Sequence, residues 1–510
     1  MSQNPIPVLI VGSGAAGSML ALELARFGVD YRCVDRLPAP SRYSRAVTVH
    51  ARTLEMLERI DTSLIDRFLK RGVHSPGYVM HFIDGTGARS EVRPGLDFTQ
   101  LTSSRYPLLL LHSQDETEAH LRNVLQEKYG RTAEWGVTCT SVVQQADGVL
   151  ATLQHADGRE EQVQCRYLVA ADGGNSRIRE QLDWQKDGTD YASTVLQNLD
   201  VYLHDFPDHK QWVHYCMGPG HFVMVVQLPG GYFRLLMSQP ADKADAAEVP
   251  QKVFSDILAQ HFDGIRLGDT VWHSRWGSRI HLANSYRQGN VFLAGDAAHV
   301  HSTAGGQGMN CCMQDAYNLG WKLAYVLQGL APATLLDTYD SERKPIGSQV
   351  IAAASTIHEL FMAGRNSDPA ALLALQASGK LQALVGQVSG LDYHYRAAGD
   401  DKPGLQAGDR MPDLQLPQGR LYELSRHPCF TLLLVSQAVT SPAQYAQLEA
   451  LVQRNPHALQ LLALDKAPAQ FLQDSDARLY LIRPDGYLAL QVPASDLESL
   501  EHWCQAHLLL

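Results

Sequence analysis

A glycine turn set between an apolar strand and a helix constrains this chain more than any other feature. Residues Ile6 to Val11 are apolar apart from Pro7 and lead into Gly12-Ser13-Gly14-Ala15-Ala16-Gly17. Ser18-Met19-Leu20-Ala21-Leu22-Glu23-Leu24-Ala25 follows with apolar residues at helical spacing. Strand, turn and helix together open a βαβ unit. Gly12 permits the tight turn, Gly14 lets backbone approach a pyrophosphate, and Gly17 lets helix and strand pack closely. The unpaired N–H groups of the helix start then face the phosphates. A second strand, Tyr31-Arg32-Cys33-Val34, ends in Asp35, about 20 residues beyond the turn, where a ribose 2′-OH is expected. An acid there disfavours a 2′-phosphate in this pocket.

Two further glycine stretches follow apolar strands. Tyr167 to Ala171 precedes Asp172-Gly173-Gly174-Asn175-Ser176-Arg177-Ile178-Arg179, and Asn290 to Ala294 precedes Gly295-Asp296-Ala297-Ala298-His299. The chain continues through Gly305-Gly306-Gln307-Gly308-Met309-Asn310 to Asp315-Ala316-Tyr317-Asn318-Leu319-Gly320-Trp321-Lys322-Leu323. A helix beginning near Gly308 would aim the positive end of its dipole at whatever lies in front. For a negative charge placed there, that is worth roughly 0.3–2 kcal/mol.

The three motifs in this order resemble the class A FAD monooxygenases, the flavoprotein aromatic hydroxylases that include para-hydroxybenzoate and phenol hydroxylases. The resemblance implies that the second motif serves both flavin and pyridine nucleotide and that Asp296 binds the ribityl chain. Ser44-Arg45-Ala46 resembles the segment whose arginine approaches the pyrophosphate and flavin, and Gln114 matches a glutamine on the ribityl chain. The cofactor-binding set expected on this basis is Gly12, Gly14, Ala16, Gly17, Asp35, Arg36, Arg45, Gln114, Asp172, Asp296, Gly306, Gly308, Met309 and Asn310. The bound groups implied are FAD, with NADPH or NADH as transient co-substrate and O2. No second Gly-x-Gly-x-x-Gly unit follows a strand, so a dedicated NAD(P)H domain is not expected.

Chain organisation agrees with an α/β protein of about three domains, given 510 residues. The reading is a Rossmann-like FAD-binding domain over 1–180 and 270–350, with an inserted antiparallel-sheet substrate domain over 181–269. The insert alternates apolar and polar residues and turns at Pro229-Gly230-Gly231. A helical region and linker span 351–398. Residues 399–510 read as strand, helix, strand and resemble the thioredoxin-like C-terminal domain of phenol hydroxylases, without a Cys-x-x-Cys pair. That domain is assigned a structural or dimer-contact role, so a homodimer is an open expectation.

On the substrate side, ungapped matching to the benzoate hydroxylases puts Tyr215 on a tyrosine that hydrogen-bonds a substrate phenol, and Arg234 on an arginine near the mobile flavin. These two are the candidate catalytic residues. The expected substrate pocket is Tyr215, Met224, Val226, Leu228, Leu236, Thr303 and Ala304. Val226 and Leu228 replace the serine and arginine that hold a carboxylate in those enzymes, which favours a larger or neutral phenol. Thr303 stands where the family usually has proline, and Val47 where phenol hydroxylase has aspartate. The implied reaction is hydroxylation of a phenolic or polycyclic aromatic through a flavin C4a-hydroperoxide. The alternatives are Baeyer–Villiger or decarboxylating oxygenation on the same fold, or a non-catalytic flavin-binding carrier. A halogenase is disfavoured because Trp272 and Trp276 do not have its spacing.

Charge and cysteine usage narrow the partners. A net charge of −11 disfavours nucleic acid. No apolar run reaches membrane-spanning length and the first residues carry no basic leader, so a cytoplasmic location is expected. The eight cysteines have no metal spacing. Cys311 and Cys312 fall in the first turn of the helix facing the flavin, where its dipole could lower a thiol pKa, although two small buried residues are the simpler reading. His204, His209, His214 and His221 are irregularly spaced, so no metal is expected.

Overall fold

The computed structural model describes residues 5–509 apart from 43–44, 208, 241–249, 302–303, 366–373, 375–376, 398, 436–441 and 465–476. The first strand, Ile6–Val11, lies near the middle of an eight-stranded sheet. It pairs in parallel with Tyr31–Asp35 on one side and Glu160–Ala170 on the other. Val291–Leu293 extends the parallel run beyond Glu160–Ala170. Strands buried on both faces must be apolar throughout, and Val8, Leu9 and Ile10 have no exposure. Helices Ala15–Arg26, Gln114–Tyr129 and Gly308–Leu327 pack together against this layer. The three glycine motifs therefore leave the carboxyl ends of adjacent parallel strands, the edge where open α/β sheets bind ligands.

A second eight-stranded sheet stands over that edge. Its order is His299–Val300, Arg266–Ala283, Lys186–His204, Phe233–Pro240, His221–Gln227, Val213–Gly218, Tyr78–Ile83 and Arg89–Val92. The hairpin around Pro229-Gly230-Gly231 forms as its turn residues require, with Leu228 N–H donating to the Tyr232 carbonyl. The sheet reaches beyond residues 181–269. Tyr78–Ile83, buried at all six positions, pairs in parallel with Val213–Gly218, and Arg266–Ala283 continues to the third motif. One face packs on helix Gln251–His261 through Leu199, Val201, Val223, Val225 and Leu235. The opposite face looks toward the glycine motifs.

Helix Asp337–Arg365 follows the flavin-side layer and runs into the region read as helical from residue 351. The C-terminal sheet has the order Leu459–Leu464, Phe430–Val435, Arg478–Ile482, Leu488–Pro493, the first pair parallel and the others antiparallel. With helices Pro442–Arg454 and Leu497–His507, this is the strand order of a thioredoxin fold. A buried polar network binds it to the rest. The Asp485 carboxylate accepts from Trp321 Nε1 at 3.1 Å and from Arg483 at 2.6 Å. Glu342 pairs with Arg483 and Lys322, each at 2.7 Å. All eight cysteines are buried and free. Among the described residues, no helix is long and apolar enough to cross a membrane.

Candidate functional site

The local geometry at the first motif follows from side-chain size. Gly12 has φ +105°, and a Cβ there would lie 2.2 Å from the Ala171 carbonyl oxygen; a Cβ at Gly17 would lie 1.8 Å from that of Gly12. Neither position admits a side chain, so turn, helix and second motif close on one another. At Gly14 such a Cβ would meet only Glu118 Oε1, at an ordinary 3.7 Å, and Gly14 borders open space. Asp35 ends the second strand and accepts the Ser13 N–H at 2.7 Å and the Leu37 N–H at 2.9 Å. Arg36, beside it, is exposed.

The open space is a cavity of about 980 Å³. Its floor includes Gly14, Ala15 and Ala16, Arg45, Gln114, Gly173 and Gly174, Asp296, Gly306, Gly308, Met309 and Cys312. Two helices begin on it, at Ala15 and Gly308, and neither has a side-chain cap on its first N–H groups. Uncapped N-termini leave donors and positive dipole ends for an anion. Gln114 Oε1 accepts from the backbone of Arg45 and Ala46 at 3.3 and 3.4 Å, which fixes the segment carrying the exposed Arg45 guanidinium. Two uncapped helix ends, a guanidinium, an amide and the Asp296 carboxylate suit a pyrophosphate, an anionic ring edge and a polyol chain. These residues fit FAD.

Several expected residues shape the cavity from behind. Asn310 Oδ1 accepts the His50 N–H at 2.9 Å, and its Nδ2 donates to the Thr48 and Gly306 carbonyls at 2.9 and 3.0 Å. Its side chain is thus spent on the glycine loop. The Asp172 carboxylate accepts the Arg177 N–H at 2.9 Å, and burial raises its pKa. Arg179, at the end of the second motif, donates to the Gly174 and Ala297 carbonyls at 2.9 and 2.8 Å and so joins second motif to third. Its clasp role was not foreseen from the sequence.

The adjacent cysteines point opposite ways. Cys312 lines the cavity and donates its thiol to Asp296 Oδ1 at 3.3 Å. Burial and that carboxylate push the Cys312 thiol well up, the reverse of a dipole-lowered pKa. Cys311 faces away, packed with Ile346, Val350 and Tyr393 and 3.7 Å from His299 Nε2.

The second sheet roofs the cavity with Leu196, Val213, Tyr215, Met224 and Leu236, and with Tyr78 beside Tyr215 at a ring separation of 5.1 Å. Burial and Tyr78 raise the Tyr215 phenol well above its ordinary pKa, so it stays protonated. Trp272, Ser274 and Trp276, alternate residues of one strand, complete the wall, and Arg45 stands 5.4 Å from the Trp276 ring centre.

Three substrate-side expectations are corrected. Val226 and Leu228 do not line the cavity; both are fully buried in a cluster with Phe98, Ile357 and Val385, which cover that end of the roof. Arg234 does not line it either. It is fully buried, forms two hydrogen bonds of 2.7 and 2.6 Å with Asp200, and reaches the Arg45 carbonyl at 3.4 Å. Thr303 and Ser44 lie outside the described residues, and nothing is described of the Ala304 side chain. The fold gathers His81, His209 and His214, with the contact between His81 Nε2 and His214 Nδ1, at 2.9 Å, a hydrogen bond. His299, Cys311 and Asp315 also meet, joined by the 2.7 Å His299–Asp315 pair.

A family model described as an FAD-binding domain matches residues 5–354. Pentachlorophenol 4-monooxygenase of Sphingobium chlorophenolicum is 39% identical over 453 residues, covering 87% of this chain and 82% of that protein. A 6-methylpretetramide 4-monooxygenase of Streptomyces rimosus is 34% identical, covering 98% of this chain and 94% of its own. The solved structure of the anhydrotetracycline hydroxylase OxyS from Streptomyces rimosus superposes with a TM-score of 0.78 at 29% identity, covering 98% of both chains.

Proposed function

The chain belongs to the FAD-binding family of aromatic monooxygenases, and from that premise we propose that it hydroxylates a neutral phenolic or fused-ring substrate held beneath the Tyr215 roof, using NAD(P)H and O2. The reading is carried by one arrangement: the two uncapped helix starts and the apolar row of Tyr215, Met224 and Leu236 open on the same cavity. A single space thus offers a floor for FAD and a dry chamber for a ring.

When bound and reduced, FAD supplies the activation of dioxygen that no side chain here can perform. The chain's own groups do the rest. The N–H groups at Ala15 and Ala16 and the Arg45 guanidinium would hold the pyrophosphate, while Asp296, and Gln114 through what its bonds to Arg45, Ala46 and Glu118 leave free, would hold the ribityl hydroxyls. The uncapped helix start at Gly308 would stabilise negative charge on the reduced ring. Leu196, Val213, Met224 and Leu236 exclude water from the reacting face. Tyr215 Oη, held neutral and hydrogen-bonded to Tyr78, would meet the substrate hydroxyl and orient the electron-rich ring carbon. The apolar roof offers no charge for a carboxylate, which supports a neutral phenol over a benzoate. Arg45, Arg279 and His273 stand at the same cavity and suit a phosphate-bearing co-substrate that docks transiently.

The test is NAD(P)H consumption and peroxide release by the FAD-loaded protein against neutral mono- and polycyclic phenols. One phenol should stimulate oxidation with little peroxide. Uniformly slow oxidation with every phenol would contradict the substrate class and point to a carrier.

A further inference from the structure

The register of the roof sheet aligns one row of side chains across five strands. Ser274 pairs with Asn198, Asn198 with Leu236, Leu236 with Met224, and Met224 with Tyr215. Ser274, Leu236, Met224 and Tyr215 all line the cavity. Strand alternation therefore puts Asn198 on the same side, opposite Leu199, which belongs to the helix-covered face. Asn198 is 1% exposed, and among the described residues neither its Oδ1 nor its Nδ2 has a hydrogen-bond partner. The Ser274 hydroxyl beside it is likewise buried without a partner. In the next row Asp200 is taken up by Arg234.

A buried amide with both ends unpaired is costly, and its neighbour Leu236 is the kind of residue packing alone would place there. Its natural complement presents a donor and an acceptor together. A ring hydroxyl does this, and with Ser274 as second donor a ring carbonyl is also served. The flanking rows carry Trp276 opposite Leu196 and Trp272 opposite Asp200, so the row of Asn198 and Ser274 runs between two indoles that line the cavity. We propose that Asn198, with Ser274, is the polar anchor of the substrate chamber, taking a hydroxyl or carbonyl of a planar aromatic on the side of the ring away from Tyr215. The inference rests on the aromatic-substrate reading and sharpens it: the preferred substrate carries two oxygen substituents at opposite ends of a ring system, one for each anchor.

The test uses the FAD-loaded protein and follows the flavin absorbance on titration with 2-naphthol and with naphthalene. The wild type should bind 2-naphthol more tightly. Asn198→Leu should weaken 2-naphthol by at least about tenfold while changing naphthalene by less than about twofold, because a site built for a hydroxyl suffers when its partner is removed. Ser274→Ala should give a smaller loss of the same kind and carries the test if the leucine variant does not fold. Equal losses for both compounds, no loss, or a wild type indifferent to the hydroxyl would each overturn the anchor. A parallel rise in the FAD dissociation constant or in KM for NADPH would reassign Asn198 to those ligands and also overturn it. Phenol-stimulated oxidation with unchanged KM in Asn198→Leu would remove the anchor while leaving the oxygenase reading intact.

Discussion

The side-chain oxygen of Asn310 accepts the backbone N–H of His50 at 2.9 Å, tying together segments 260 residues apart. On the same loop His50 Nε2 lies 3.0 Å from the Gly305 carbonyl, and the Thr48 hydroxyl donates to the Gly306 carbonyl at 3.0 Å. The glycine loop before the Gly308 helix is thus held from the segment just beyond Arg45, so one clasp sets two parts of the cavity floor.

Asn310→Ala removes three hydrogen bonds from that clasp, two of them buried, without touching the cavity wall. At about 1–3 kcal/mol for groups left unpaired, the FAD dissociation constant should rise roughly ten- to a hundredfold. Flavin fluorescence titration of the apoprotein reads this directly. An unchanged affinity would mean the loop holds its shape without Asn310.

Arg234 is a structural cation in this account. Arg234→Leu leaves Asp200 charged and buried, and should cost about 3–5 kcal/mol in denaturant unfolding. Replacing both residues with leucine should cost much less than the sum of the single changes. Full stability of Arg234→Leu together with lost turnover would instead return Arg234 to the chemistry.

Much of this was legible because it is local. Gly12, Gly14 and Gly17 act within one strand, turn and helix, and their spacing states their roles. Asp296 and Gly308 are likewise placed on the cavity by the strand before and the helix after. What was not legible depends on packing between distant segments. Val226 and Leu228 align with ligand-binding positions, yet Phe98 and Val385 arrive from elsewhere to bury them. Asn198 is an ordinary strand residue until the register sets it between Ser274 and Leu236. Trp272, Ser274 and Trp276 carried a usable signal, two-residue alternation, but nothing in the sequence said which face met the cavity. Asn310 reads as a cofactor residue because it sits in the motif, whereas its side chain serves His50.

Tyr215→Phe tests the orienting phenol. The roof holds Tyr215 protonated across the neutral range, so it contributes a hydrogen bond and no titration of its own below pH 10. Turnover with a good phenol should fall by roughly a hundredfold if Tyr215 assists loss of the substrate proton. The substrate's own ionisation should then appear at higher pH in the rate profile. A rate and profile equal to the wild type would sink the role.

Acid should loosen the flavin floor before it unfolds the rest. Burial lowers His50 to about 4, from 6.5 in the unfolded chain. Between those values the unfolded chain binds a proton that the folded one refuses. Stability from neutral His50 is therefore complete above pH 6.5 and lost as pH falls toward 4, by roughly 3 kcal/mol. His281, also lowered to about 4 by burial and Arg179, adds a loss of the same sign. Tm should fall steadily as pH drops below 6.5, with FAD release leading the transition. His50→Gln should reduce the slope by one proton. A Tm independent of pH from 7 to 5 would contradict these assignments.

The central claim is that one oxygen atom passes from O2 to a neutral phenol in the chamber between the Gly308 helix and the Tyr215 roof. Its most direct test is turnover under isotope-labelled O2 with the phenol that best stimulates NAD(P)H oxidation, followed by mass spectrometry of the product. The account predicts one labelled oxygen in the product, in near one-to-one proportion to nicotinamide consumed. Product without label, or nicotinamide oxidation accompanied only by peroxide, would contradict it.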